Sequence, residues 1–154
     1  MADDFTIDAS ELGRLAADIE SSARTLGPYL RSAVEATAMN VRQTWREDAS
    51  GMRHAPAYPR SITYDVKTFQ GFGVSIIEAE VGPDKSLPQG ALGNLLEFGS
   101  VNNAPQGHGQ KALEANQEDF EQGLDEAVAD SLAVLAADGS IARSAAAIMR
   151  GGFR

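Results

Sequence analysis

Glu114, Glu118, Glu121 and Asp125 recur at i, i+4, i+7 and i+11, a spacing that stacks four carboxylates on one helical face. Carboxylates so placed could hold a divalent cation or divide acid and base work between them. A di-iron centre would add Glu-x-x-His pairs on facing helices. The two histidines, His54 and His108, fall in predicted loops and complete no such pair. Just upstream, Gly107-His108-Gly109-Gln110-Lys111-Ala112 has the spacing of the dinucleotide fingerprint G-x-G-x-x-A. There a tight turn aims helix N–H groups at a pyrophosphate, which requires a strand directly before the turn and another after the helix. Here Val101-Asn102-Asn103-Ala104-Pro105-Gln106 precedes it and reads as loop, and no strand follows. No nucleophile elbow, zincin motif or phosphate loop occurs. The residues point away from catalysis and from a resident metal or cofactor. The four carboxylates read as a solvated helix face, or as one that lines a pore or meets a basic neighbour.

Those residues sit in an acidic chain of net charge −9, and the charge is unevenly spread. Residues 112–138 hold eight carboxylates and no Lys or Arg, whereas Arg31, Arg42, Arg46, Arg53 and Arg60 leave the middle slightly basic. Such a chain should not grip nucleic acid through counterion release, but an acidic face against a basic one suits subunits that pack together. There are no cysteines, hence no disulfide or thiolate site. No apolar run reaches membrane-spanning length and the acidic N-terminus lacks a signal core, which predicts a chain made and used without secretion.

The elements that must position these residues follow from periodicity. The 154 residues fit one domain, with a helical arm over 1–49, a sheet region over 50–100, and a loop with C-terminal helices over 101–154. A capping-box-like Asp8/Glu11 opens a helix that Gly27-Pro28 should stop. A second helix continues to about Asp48 on Leu30, Val34, Val41 and Trp45, so the pair reads as a helical hairpin or one kinked arm. Trp45 is predicted to be core. Ile62, Tyr64 and Val66 alternate with polar residues as a half-buried strand. Gly71-Phe72-Gly73 turns into a second strand over 74–81, whose Ile76-Ile77 suggests a bulge or burial on both faces. A short helix is expected over 91–98. One long helix should then run from about Gly109–Ala112 to Ala137, with Leu113, Phe120, Leu124 and Val128 packed on the protein's own sheet. Asp138-Gly139-Ser140 should break it, and Ile141, Ala145 and Ile148 mark a final short helix. This order predicts an α+β fold: a small antiparallel sheet with a long C-terminal helix packed on it.

The segment from Leu95 to Asn116 carries a further signal. Glu97-Phe98-Gly99-Ser100, a loop, then Ala104-Pro105-Gln106 and Ala112-Leu113 resemble a motif of the tail-completion and head–tail connector family of long-tailed bacteriophages, to which the lambda Z protein belongs. Members typically read Glu-Phe-Gly-Thr, a loop, then Ala-x-Pro-Phe-Leu-Arg-Pro-Ala-Leu. Ser61-Ile62 stands where the family's first strand opens, and Val81-Gly82-Pro83 where its second closes. The layout matches from about Asp8 to Leu135, although only Glu97 to Leu113 is motif-like. The chain departs from the pattern twice. The family's Pro-Val-Asp-Thr-Gly element is replaced by the run from Met52 to Pro59, and its Pro-Phe-Leu-Arg-Pro by Gly107 to Lys111.

The resemblance implies a non-enzymatic virion protein, six copies forming a ring in the phage neck. The ring would be assembled in the bacterial cytoplasm, would join the head connector or stopper to the tail terminator or tail tube, and would pass DNA as non-specific cargo. A terminator ring that caps the tube is the alternative within this class, and a small enzyme or ligand-binding module using the glycine loop is the alternative outside it. The ring reading makes Glu114, Glu118, Glu121 and Asp125 candidates for the lumen or for a neighbour's arginines, and Arg42 and Arg46 candidates for the opposing face. Within the motif, Phe98 is expected to plug the sheet–helix junction, Gly99 to take a left-handed position after it, and Glu97 to be a paired carboxylate.

Overall fold

The computed structural model describes residues 10–71 and 74–137 of the 154. The expected start at Asp8, the tip residues Phe72 and Gly73, the break at Asp138 and the final helix at 141–148 lie outside the described residues. The chain divides into two compact units. Leu30–Asp125 forms the larger, and the described residues of 10–29 and 126–137 belong to the smaller.

The architecture is α+β: a long N-terminal helix, a two-stranded antiparallel sheet and a long C-terminal helix. Helix α1 (Ser10–Asp48) runs through Gly27-Pro28 without stopping, so the two predicted helices are one. Proline deletes a single N–H···O=C bond and costs about 3 kcal/mol. A 39-residue helix is cooperative enough to carry that defect. A tight loop leads into the four-residue turn α2 (Tyr58–Ser61), with proline in its first turn.

Strands β1 (Ile62–Gly71) and β2 (Val74–Pro83) pair antiparallel in an unbroken register from Ile62↔Pro83 to Gly71↔Val74. There is no bulge at Ile76-Ile77. Ile77 shares a face with Ala79 and Val81, while Ile76 points to the other face opposite Phe69, where both are about half exposed. A 3₁₀ turn (Gly90–Leu92) leads into α3 (Gly93–Phe98). Asp84 N–H donates to the Ser61 carbonyl, and a Cβ on Gly90 would fall 1.8 Å from the Asp84 oxygen, so this crossing admits only glycine.

The predicted last helix is two helices, α4 (His108–Ala115) and α5 (Gln117–Ala137), divided at Asn116. Asn116 is buried, and its amide donates to the Ala112 carbonyl at 2.7 Å and to Thr44 Oγ1 at 3.1 Å. The break is thereby pinned to α1. The buried positions of α4 and the junction are Ala112 and Asn116, small or polar, whereas Leu113 is 61% exposed. Phe120 and Leu124 are half-buried and Val128 is exposed, so the large apolar stripe is not the packed one. The core of the larger unit gathers Val41, Trp45, Ala49, Ala55, Tyr58, Ile62 and Ala112. In the smaller unit the buried residues of α5 are Ala127, Ser131 and Leu135, at i, i+4 and i+8.

Three arginines fasten β1 along α1 in antiparallel order. Arg31 donates to Thr68 Oγ1, Arg42 lies 5.1 Å over the Tyr64 ring, and Arg46 Nε donates to the Ile62 carbonyl. The helix covers about 22 Å from residue 31 to 46, and the strand covers about 20 Å from 68 to 62, so the two elements keep pace.

Candidate functional site

The Glu97-Phe98-Gly99 run supplies the centre of the site, and each residue has a different task. Glu97, the penultimate residue of α3, faces inward. Its Oε1 accepts from Trp45 Nε1 at 3.1 Å and from Tyr58 Oη at 3.4 Å, and its Oε2 accepts from the Gly109 N–H at 2.9 Å. One carboxylate thus ties α1, α2, α3 and α4 together, the pairing its apolar sequence context called for. Burial, and then the negative charge of Glu97, push the Tyr58 hydroxyl up to about 12.

Gly99 turns the chain at φ 76°, ψ −175°. The positive φ expected of it is present, but with an extended ψ in place of the left-handed one, a region open essentially to glycine alone. A Cβ there would sit 2.8 Å from both the Asn103 oxygen and the Pro105 nitrogen. Ser100 and Asn103 exchange backbone hydrogen bonds, and Gln106 N–H returns to the Leu96 carbonyl, so the Ser100-to-Gln106 loop folds back on α3. Ala104 and Pro105 lie exposed in that loop.

Phe98, between these two, is 81% exposed. It does not plug the sheet–helix junction. Glu97 and Gly99 fix the backbone so that the side chain between them leaves the core. The adjoining groove encloses about 660 Å³ and is open to solvent. Val34, Ala38, Val41 and Trp45 of α1 form its floor, Ile77, Ala79 and Val81 of β2 one wall, and Leu113 of α4 with Phe120 of α5 another; Gly93, Glu97 and Phe98 close its end. Glu97 is the one charged residue of the lining, and its oxygens are engaged as described.

The glycine fingerprint has a structural role. Gly107 caps α4 with a left-handed conformation, and Gly109 lies so close to Trp45 that a Cβ would meet the indole at 2.6 Å. The Gly109 N–H that a pyrophosphate would need is donated to Glu97. His108 is the first residue of α4, not a loop residue, and its Nε2 is buried without a partner among the described residues. His54 is exposed.

The acidic stripe is divided. Glu114 lies on α4, and the break at Asn116 separates it from Glu118, Glu121 and Asp125 on α5. All four are exposed; Gln110 donates to Glu114 and Gln117 to Glu121, and none forms an ion pair among the described residues. Arg42 and Arg46 are half-buried and lean on β1, Arg42 over the Tyr64 ring and Arg46 through its hydrogen bond to the Ile62 carbonyl. Burial, then the charge of Arg42, lowers the pKa of Arg46. Among the described residues no group of three or more His, Asp or Glu could hold a metal ion, and no helix is long and apolar enough to cross a membrane.

Sequence reasoning missed Tyr58 and Asn116, and it read Val34, Val41 and Trp45 as the apolar line of a helix without the groove that they floor. A tyrosine directly before Pro59, in a loop that must return to the sheet, was the available signal for Tyr58. No known protein family, curated protein or solved structure matches this chain.

Proposed function

We propose that this protein is a structural subunit that assembles with copies of itself, and that the assembly is a ring in the neck of a long-tailed bacteriophage, between head connector and tail. The observation that carries the first step is the uncovered groove with Phe98 and Leu113 at its edge. Large exposed apolar side chains beside a concave apolar surface mark an interaction site, and a projecting aromatic is the usual anchor of one. The second step rests on the Glu97-Phe98-Gly99-Ser100 resemblance, for which the geometry offers a reason: Glu97 and Gly99 hold an aromatic outward toward a neighbour. A closed ring needs two different complementary faces on each subunit, and the groove is one of them. Net charge −9 suits a ring that lets DNA slide rather than bind. In this reading the protein has no catalytic role and needs no cofactor; six copies and a place in the virion are what the resemblance adds.

The test is the mass of the purified chain at rising concentration, with negative-stain images of the largest species. Rings with a central opening support the reading. A chain that stays monomeric at every concentration, and is absent from purified necks and tails, refutes it.

A further inference from the structure

The groove has one wall on α4 and α5, and the residues directly after its two large side chains there are carboxylates. Leu113 is followed by Glu114 and Phe120 by Glu121, both exposed, with Glu118 between them also exposed. Arg42 and Arg46 lean on β1 within the subunit. The chain carries a different complement. Residues 139–154, outside the described residues, contain Arg143, Arg150 and Arg154 and no Asp or Glu, directly after a stretch of eight carboxylates without a cation. The same segment spaces Ile141, Ala145 and Ile148 at i, i+4 and i+7 and adds Phe153. It therefore combines an apolar series with positive charge, complementary to an apolar groove whose wall residues Leu113 and Phe120 are each followed by an exposed carboxylate.

We propose that the groove is the docking site for residues 139–154 of a second copy of this chain, the apolar side chains entering between α1, β2 and α4 and the arginines meeting Glu114, Glu118 and Glu121. The proposal rests on the reading that copies of this chain assemble, and it names the segment that joins them. The contact is heterologous, because each copy gives its tail segment to one neighbour and its groove to another. Arginine suits this task, since its stem lies along apolar surface while its guanidinium reaches a rim carboxylate.

The test uses the full chain and follows its mass by sedimentation against concentration. Wild type should assemble. Arg143→Glu/Arg150→Glu should raise the concentration needed for half-assembly by roughly tenfold or more, and Glu114→Arg/Glu121→Arg should do the same. Joining all four substitutions in one chain should restore assembly, which a misfolded variant would not do. Arg53→Glu/Arg60→Glu alters net charge by the same amount as the first variant, at exposed positions remote in sequence from the tail segment, and should assemble like wild type. If wild type never assembles, the reading of the protein as a self-assembling subunit falls. If wild type assembles but the first variant matches it, or the control variant fails equally, or the combined variant is not restored, the tail segment is not the occupant and this inference alone is overturned.

Discussion

Replacing Glu97 by alanine should loosen the larger unit at its centre. The side chain accepts two well-placed hydrogen bonds, from Trp45 Nε1 at 3.1 Å and the Gly109 N–H at 2.9 Å, and a longer one from Tyr58. Hydrogen bonds to a charged group contribute about 1.5–3 kcal/mol each, and a buried donor left without its acceptor costs a comparable amount. Trp45 is 8% exposed and Tyr58 is fully buried, so water cannot readily take the vacated place at either. Glu97 itself borders the open groove, which lets some water reach Gly109 and trims the total. The expected loss is about 3 kcal/mol, or roughly 10 °C in Tm for a chain of this length. Glu97→Gln discriminates further. An amide has one acceptor oxygen, and its NH₂ must face either the Gly109 N–H or the Trp45 N–H, donor against donor, since only the Tyr58 hydroxyl can turn to accept. It should therefore cost about half as much as alanine. Urea denaturation followed by Trp45 fluorescence measures both. Alanine and glutamine variants within about 0.5 kcal/mol of wild type would show that the carboxylate is a bystander and that apolar packing alone holds the four elements.

Three further outcomes are expected. Gly99→Ala should destabilise by about 2–3 kcal/mol, because the new Cβ meets Asn103 and Pro105 at a backbone conformation only glycine adopts freely; a wild-type melting curve would contradict the turn geometry. Phe98→Ala should leave Tm within about 2 °C of wild type, since the ring is 81% exposed, yet weaken self-association several-fold; a large stability loss with intact assembly would reverse that assignment. Alkaline pH should unfold the larger unit through Tyr58. Its hydroxyl titrates near 12 when folded and near 10 when unfolded, so its contribution is complete below about pH 10 and is lost as pH rises toward 12; Tyr58→Phe should remove this part of the alkaline slope.

Some of this was legible in the sequence because local pattern and tertiary demand agree. The alternation of Ile62, Tyr64 and Val66 fixed which face of β1 turns inward, and Gly71 marked the end of that strand. Glu97 stood out because a carboxylate between Leu96 and Phe98 must find donors. Other features were hidden for physical reasons. Gly27-Pro28 carries a local stop signal that a long cooperative helix overrides. Asn116 has no unusual neighbours, and its break follows from a partner, Thr44, 72 residues away. Past that break the helical phase is reset, so a single stripe drawn through Leu113, Phe120 and Val128 joins residues on different helices. The error over Phe98 and Leu113 is of another kind. Hydrophobic spacing shows that a face is apolar, and it carries no mark of whether the chain itself or a second molecule covers it.

The arginine-fastened hairpin behaves mechanically as a cantilever. Its root is rigid, with Ile62 fully buried and Pro83 so close to Gly93 that a Cβ there would lie 2.2 Å from the proline ring. Toward Gly71 the supports change from packed side chains to the Arg31 guanidinium on Thr68, and Phe69 and Ile76 stand half in solvent. Stiffness must therefore grade along the strand pair, and amide exchange should quicken progressively from Ile62 to Gly71. A load applied near Gly71 would be delivered as torque at the root. There Gly93 opens α3, and five residues later that helix ends in the aromatic that faces outward.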